Sequence, residues 1–318
     1  MKKFLLNIGL FVVVLAVLAV IGDYMISSGL RKTTIRKYAV WNDIYNDNNL
    51  DNDLVLLGAS SCWAHYNPAI LDSILEISTY NLGIDNHPWS PVIPIRYNTY
   101  IRYAHKKPKY VLINIDIATF NSKTGPYERE QFFPFFGEDD SLISQVENCK
   151  EFTWVERYLP IWRYIGYREE IQNGVTSFFG KKKFKDDGVY KGHRGNTYSW
   201  DRASLNTMDS IPLEYNYEAV VSMLQFISDR KAEGQVVLLI KTPVYYELQE
   251  RLTNGDEMCA RYDSIALVAD VALLDYWNHP VVLDSTYFCN STHLNKRGAD
   301  IISVQLALDL DSLGIVDK

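Results

Sequence analysis

The sequence predicts an α/β fold with a parallel sheet, preceded by one N-terminal helix long enough to cross a membrane, and three observations predict it. Short apolar runs alternate with longer amphipathic ones at roughly 20 to 30 residues per unit, the pattern of strands joined by crossover helices. The first run, Leu54-Val55-Leu56-Leu57, feeds directly into Gly58-Ala59-Ser60 and then a helical pattern, so the chain reads strand, tight turn, helix. Residues 4–22 are apolar except for Asn7.

At 1.5 Å per residue that apolar run spans about 28 Å, the hydrocarbon thickness of a bilayer. It follows Met1-Lys2-Lys3 and is expected to be a retained anchor. A cleaved signal peptide is the rival reading, with Val20-Ile21-Gly22 as the nearest approach to a cleavage site. Lys2, Lys3 and the amino terminus are balanced by Arg31, Lys32, Arg36 and Lys37, but the immediate far flank, residues 23–30, carries only a negative charge. This favours an inside amino terminus and a domain facing the periplasm or cell exterior. The expected organisation is a cytoplasmic tip and anchor or signal over residues 1–30, a linker or stalk helix over 31–52, and a folded α/β domain over 53–318.

Within that domain, strands are expected over residues 54–57, 78–82 and 110–115, with helices over 69–75 and 92–104. The rhythm breaks after Phe120. Residues 121–215 hold Phe132, Phe133, Phe135, Phe136, Trp154 and Trp162 and read as an insertion over the sheet, either a substrate-binding cap or a helical subdomain covering an edge. The run Lys181-Lys182-Lys183-Phe184-Lys185 is followed at once by Asp186 and Asp187, the composition of a solvated loop. Alternation then returns. A helix over 217–231 ends at Gly234, a buried strand over 236–240 closes at Thr242-Pro243, and a helix over 258–272, a last short strand over 281–283 and a C-terminal helix over 299–313 follow.

Hydrophobic residues make up 47% of the 318-residue chain, enough for one large core with an insertion. Asp and Glu outnumber Lys and Arg by 39 to 32, and no basic stripe is present, which excludes nucleic acid as a partner. The 22 Tyr and 7 Trp suit a carbohydrate or acyl cleft as well as a core. Cys62, Cys149, Cys259 and Cys289 lack metal spacing, so neither a metal nor another cofactor is expected. An extracytoplasmic address permits a Cys62–Cys289 disulfide, since each flanks a candidate catalytic residue; buried free thiols are the alternative.

Nucleophilic attack on an ester needs an exposed hydroxyl, a histidine to take its proton, a group to hold that histidine, and donors for the oxyanion. Ser60 is the candidate hydroxyl, with Ser61 as the alternative. His293 is the candidate base, because Asn290-Ser-Thr-His293-Leu294-Asn295 places it in a polar turn before the last helix, where it can face the carboxyl ends of the strands. His65 reads as structural or as a substrate contact near Ser60. His87, His105, His193 and His279 give no usable pattern.

A Gly-x-Ser-x-Gly elbow is absent, since Cys62 takes the last glycine position. Gly58-Ala59-Ser60 after the first strand, Asn81-Leu82-Gly83, and the segment around His293 together resemble the ordered blocks of the SGNH (GDSL-type) hydrolases, over about residues 53–120 and 217–313. The variant Gly-Ala-Ser-Ser followed by His65-Tyr66-Asn67-Pro68, with a closing His-Leu-Asn-x-x-Gly-Ala, is similar to membrane-anchored SGNH-like envelope proteins of Bacteroidetes, and more distantly to DltD and the alginate O-acetylation proteins. The resemblance implies a three-layer, flavodoxin-like sheet with an inserted cap, Ser60 as nucleophile, His293 as base, and the backbone N–H groups of Ser60 and Gly83 as oxyanion donors. Two departures stand out. The family's aspartate three residues before the histidine is Asn290 here, and its Gly-x-Asn-Asp block is not recognisable around Asn114. Asn114 or Asn121 is the substitute third oxyanion donor, and Asp284 an alternative source of charge for the histidine.

The expected function is an extracytoplasmic serine esterase or O-acyltransferase acting on acyl, chiefly acetyl, groups of a glycan, with a membrane acyl-transfer protein as a possible partner. The alternative is a non-catalytic envelope protein that binds glycan or scaffolds a membrane partner.

Overall fold

The computed structural model describes residues 1–46, 50–85, 88–122, 128–147, 152–181, 189–206 and 212–316. Two compact units divide the chain, Met1–Asn42 with Glu128–Asp187, and Asp43–Tyr127 with Gly188–Lys318.

The larger unit is built on a parallel sheet. Strands β1 (Leu54–Leu57), β2 (Thr79–Asn81) and β3 (Tyr110–Ile115) come first. After a small antiparallel hairpin of β4 (Val189–Tyr190) and β5 (His193–Arg194), the chain adds β6 (Val236–Lys241) and β7 (Ala272–Asp275). The sheet order is β2-β1-β3-β6-β7, all parallel. With the hairpin set aside this is the 2-1-3-4-5 winding, whose direction reverses between β1 and β3. All four residues of β1 and all six of β3 are buried, as expected of central parallel strands covered on both faces.

Local chemistry sets the helix ends. Asn67 accepts the Ala69 N–H at 3.1 Å and Pro68 opens the helix Pro68–Leu75, a cap and first-turn proline that remove orphan donors. Asn216 caps Tyr217–Ala232, and Asn295 caps the last helix, Lys296–Ser312, by accepting from Arg297 and Gly298. The turn between β4 and β5 lies on the end of β2. The Asn81 N–H donates to Lys191 O at 2.9 Å, and a Cβ on Gly192, which has φ +81°, would lie 1.7 Å from Asn81 O. Only glycine fits there.

One expectation is corrected. Residues 281–283 are not a strand: Pro280–Leu283 is a 3-10 turn, because Pro280 presets the helical φ and the His279 ring accepts the Val281 N–H at 3.1 Å. The last sheet strand is β7, released when Asp270 adopts φ +51° and stops the helix Gly255–Ala269. Of the two readings of the cysteines, free thiols hold for Cys62, Cys259 and Cys289. Cys149, His87 and residues 182–187 of the lysine run lie outside the described residues.

The smaller unit gathers around the N-terminal helix, Lys2–Leu30. Its first part is long and apolar enough to cross a membrane, with a mean hydropathy of 3.0, while Ile26, Ser27, Ser28, Gly29 and Leu30 are buried. The helix Arg168–Phe178 crosses it at two glycines, since a Cβ on Gly29 would lie 1.8 Å from Gly174 O and one on Gly174 2.6 Å from Ile26 O. Ser27 Oγ is 2.8 Å from the Tyr164 hydroxyl. Lys37 bridges Glu130 and Glu170 at 2.8 and 2.7 Å, and Trp41, fully buried, donates to Gln131 at 2.9 Å.

Candidate active site

The candidate site lies in the larger unit, at the carboxyl ends of β1 and β3, the two strands that flank the reversal of winding. Open α/β sheets form their ligand crevice at that place. Gly58, with φ +153°, lets the chain leave β1, and a Cβ there would meet Asn114 Cβ and Cys62 Cβ at 2.9 Å. The short helix Ser60–His65 begins at once, so Ser60 stands at the strand-to-helix corner.

Ser60 Oγ lies 2.8 Å from His293 Nε2. The base opens β9 (His293–Leu294), directly after the tight turn that joins it to its antiparallel partner β8 (Phe288–Asn290). Four donor-bearing atoms surround Asn290 Oδ1: Thr292 N at 3.0 Å, Thr292 Oγ1 at 3.1 Å, His293 N at 2.8 Å and His293 Nδ1 at 3.1 Å. Two of these are backbone N–H groups, which can only donate, so the atom at their focus is the amide oxygen. The proton on the His293 ring is thereby placed on Nδ1, with Thr292 Oγ1 as a second acceptor at 2.9 Å. The Nε2 lone pair is left facing the Ser60 hydroxyl. Trp63 lies alongside the imidazole with ring centroids 6.5 Å apart, and its own Nε1 donates to Asp85 at 2.9 Å.

His65 is held within the fold. It is fully buried, with Nδ1 2.7 Å from Thr242 Oγ1 and Nε2 accepting the Leu294 N–H at 3.0 Å. Its pKa is pushed well below the ordinary histidine value by burial and then by the neighbouring His293 and His193. The neutral ring pins the residue next to His293 onto the helix that carries Ser60.

Of the expected oxyanion donors, Gly83 and Asn114 make hydrogen bonds within the fold. The Gly83 N–H donates to Asn81 Oδ1 at 3.0 Å, an Asx turn that competes with any ligand. The glycine is needed for another reason, because a Cβ there would lie 2.7 Å from Trp63 N. Asn114 is buried and engaged at both ends of its amide, Nδ2 donating to Ser61 Oγ at 2.7 Å and Oδ1 accepting from the Tyr66 hydroxyl at 3.0 Å. Ser60 N–H belongs to the first turn of a helix, whose leading donors have no intrahelical acceptor. Asp284 is exposed and accepts from Thr286 N at 2.8 Å, capping its own turn.

Asp116 escaped the sequence reading. It follows β3, is 8% exposed, and accepts from Ser61 Oγ at 2.5 Å, from Ala118 N at 2.9 Å and from Thr119 Oγ1 at 3.1 Å. An acidic residue directly after β3 emerges at the same crevice only because β3 pairs with β1, a neighbourhood that strand order supplies and the sequence does not display. Ser61 is occupied by this carboxylate and by Asn114, whereas Ser60 faces the histidine.

A cavity of about 350 Å³ opens over these groups. Ser60, Ser61, Asp116, Asn121, Thr292 and His293 line it together with Leu213, Glu214, Val244, Leu248 and Leu252. The lining carries two carboxylates and, among the described residues, no lysine or arginine. Among the described residues no three His, Cys, Asp or Glu side chains converge as metal ligands would.

Compared with known proteins, the chain matches no family model and no curated protein. Among solved structures it is similar to a candidate acylhydrolase from Bacteroides fragilis, at 12% identity over 82% of this chain and 86% of that one, with a TM-score of 0.40. A family two carbohydrate esterase from Clostridium thermocellum, solved with cellohexaose, matches at 11% identity over 82% of this chain and 64% of that one, with a TM-score of 0.41. A lipolytic protein of the G-D-S-L family from Desulfitobacterium hafniense matches at 12% identity over 80% of this chain and 97% of that one, with a TM-score of 0.35. At these values the functional reading rests on the geometry of the site.

Proposed function

We propose that this chain is a serine esterase or O-acyltransferase that forms an acyl-enzyme on Ser60. The observation that carries the reading is the 2.8 Å contact between Ser60 Oγ and His293 Nε2, with the imidazole proton held on Nδ1 by Asn290. Ser60 Oγ attacks the ester carbonyl carbon while its proton passes to His293 Nε2. Collapse of the tetrahedral intermediate expels the alcohol, which takes that proton from Nε2, and leaves the acyl group on Ser60. Water or an acceptor hydroxyl then gives its proton to Nε2, attacks the acyl carbon, and Ser60 recovers its hydrogen. The Ser60 N–H is the oxyanion donor.

The substrate class is a neutral acyl ester, an acetyl group on a glycan. A cavity of this size suits a short acyl chain with part of a sugar, and Asp116, Glu214 and Asn121 in its lining offer acceptors for sugar hydroxyls. The N-terminal helix is the membrane anchor, with the catalytic unit outside the cytoplasm, where a membrane acyl-transfer protein is the natural donor for the transferase form.

A second reading, a non-catalytic glycan-binding module, is favoured by one feature: the N–H of Gly83 and the amide of Asn114 are engaged elsewhere while a carboxylate sits beside Ser61. A fluorophosphonate probe separates the two. The enzyme reading expects labelling of the full chain that Ser60→Ala abolishes. An intact, folded chain that resists the probe and releases no acetate from acetylated glycans supports the binding module and sinks the esterase.

A further inference from the structure

The end of the apolar span carries a cluster that the proposed chemistry does not use. Asp23 is the first charged residue after Lys3. Its carboxylate accepts the Ile161 N–H at 2.7 Å and pairs with Arg163. Ile161 has φ +63°, a conformation that a β-branched residue holds only when its surroundings enforce it. Gly22 leaves room for it, since a Cβ there would lie 3.0 Å from Ile161 Cδ1. Val20, Asp23 and Tyr24 also share a cleft with Tyr158, Pro160 and Arg163. The segment 154–165 is thus latched to the helix at the level where its apolar run ends.

What this segment turns outward is apolar. Trp154 is 67% exposed, Tyr158 57%, Trp162 47% and Ile165 60%, and beside them Tyr24 is 61% and Phe179 56% exposed. Tyr24 meets Phe178 edge-on at 6.1 Å, which brings the end of the helix Arg168–Phe178 to the same level. Trp154 and Tyr158 lie one turn apart on one helix, ring centroids 5.8 Å apart. Tryptophan and tyrosine at the end of an apolar span are the side chains that settle at a membrane–water boundary, their rings in the acyl border and their polar atoms in the headgroups.

We infer that residues 154–165, with Tyr24 and Phe179, form a docking surface for the lipid bilayer itself, seated in the headgroup region of the leaflet from which the N-terminal helix emerges. The argument for this occupant is continuity: Val20 and Tyr24 of the helix border the same cleft as Tyr158, and on the helix Val17, Leu18, Val20 and Ile21 are each about half exposed. The inference rests on that helix spanning the membrane and is independent of the Ser60 chemistry. The helix is then clamped at the surface rather than serving as a loose tether.

The test uses the full chain in phosphatidylcholine nanodiscs whose acyl chains are brominated near the headgroup or near the bilayer centre. Shallow bromines are expected to quench a clear fraction of the tryptophan emission, deep ones less, and a Trp154→Phe/Trp162→Phe variant to lose most of that quenching. Both side chains are exposed, so the variant should melt with the wild type, which a thermal scan in detergent checks. Equal quenching in wild type and variant overturns the inference. So do a mature chain whose mass lacks residues 1–22, and a detergent-solubilised dimer that the double substitution dissociates, which would make a second copy the occupant.

Discussion

Asn290 Oδ1 receives both the backbone N–H of His293, at 2.8 Å, and the Nδ1 side of its ring, at 3.1 Å, so one neutral amide sets the position and the tautomer of the base. A carboxylate in its place keeps every acceptor contact and adds a charge that favours the imidazolium. Asn290→Asp should therefore raise the His293 pKa and move the acidic limb of the kcat/KM profile to higher pH, with turnover on the plateau maintained or increased. Asn290→Ala should lower kcat by on the order of 10²-fold, the scale of a displaced general base. Profiles on a soluble acetyl ester check both.

Ser61 answers a different question, since its hydroxyl joins Asp116 to Asn114. Ser61→Ala should retain fluorophosphonate labelling at Ser60 yet lower stability by about 1–3 kcal/mol, because a buried carboxylate and an amide each lose a partner. Labelling that vanishes with Ser61→Ala and survives Ser60→Ala would reverse the roles of the two serines.

Two buried histidines make the larger unit sensitive to acid. His193, whose Nδ1–H donates to Trp63 O at 2.8 Å, has its pKa lowered by burial to about 4, and His65 is lowered well below its ordinary value by the same cause. Both are neutral when folded, whereas the unfolded chain binds a proton below about pH 6.5. Their contribution is thus complete above that pH and is lost as the pH falls through it, by about 1.4 kcal/mol per pH unit for each histidine, down to the folded pKa. Urea unfolding at pH 7.5 and pH 5 should show a smaller loss for His193→Gln than for the wild type.

In the smaller unit, Gly174→Val should separate the N-terminal helix from the helix Arg168–Phe178, since even a Cβ there would lie 2.6 Å from Ile26 O. Overpacking of this kind costs about 1–3 kcal/mol. Protease cleavage within residues 128–181 should accelerate while turnover of a soluble ester stays unchanged.

These sites differ in how far a reader of the sequence can see them. The run of β3, apolar but for Asn114, and the Gly58-Ala59-Ser60 corner are local patterns and were legible as they stand. His293 was legible through its polar turn, and Asn290 through the resemblance, which sets an aspartate three residues before the histidine. Asp116 was not, because its nearness to Ser60 arises only when β1 and β3 lie side by side. Gly83 carries a feature that a motif does not display: Asn81 folds back onto its N–H, a competition between side chain and backbone. His65 stayed open between a structural role and a substrate contact, because sequence proximity to Ser60 says nothing of the direction in which a helix turns a ring. Residues 281–283 looked like a strand because valine and leucine favour one, until Pro280 and the His279 cap are weighed. The pairing of Gly29 with Gly174 depends on two small residues far apart in the chain, and no periodicity announces it.

Ser60 and His293 lie 233 positions apart, and the hairpin that bears the histidine is held on one side by His65 and followed directly by the last helix, Asn295 capping it. A ribosome therefore releases the serine long before it makes the histidine. Until the final segment is synthesised and seated, the chain carries an ordinary hydroxyl with no base beside it, and its reactivity becomes a report that folding has finished.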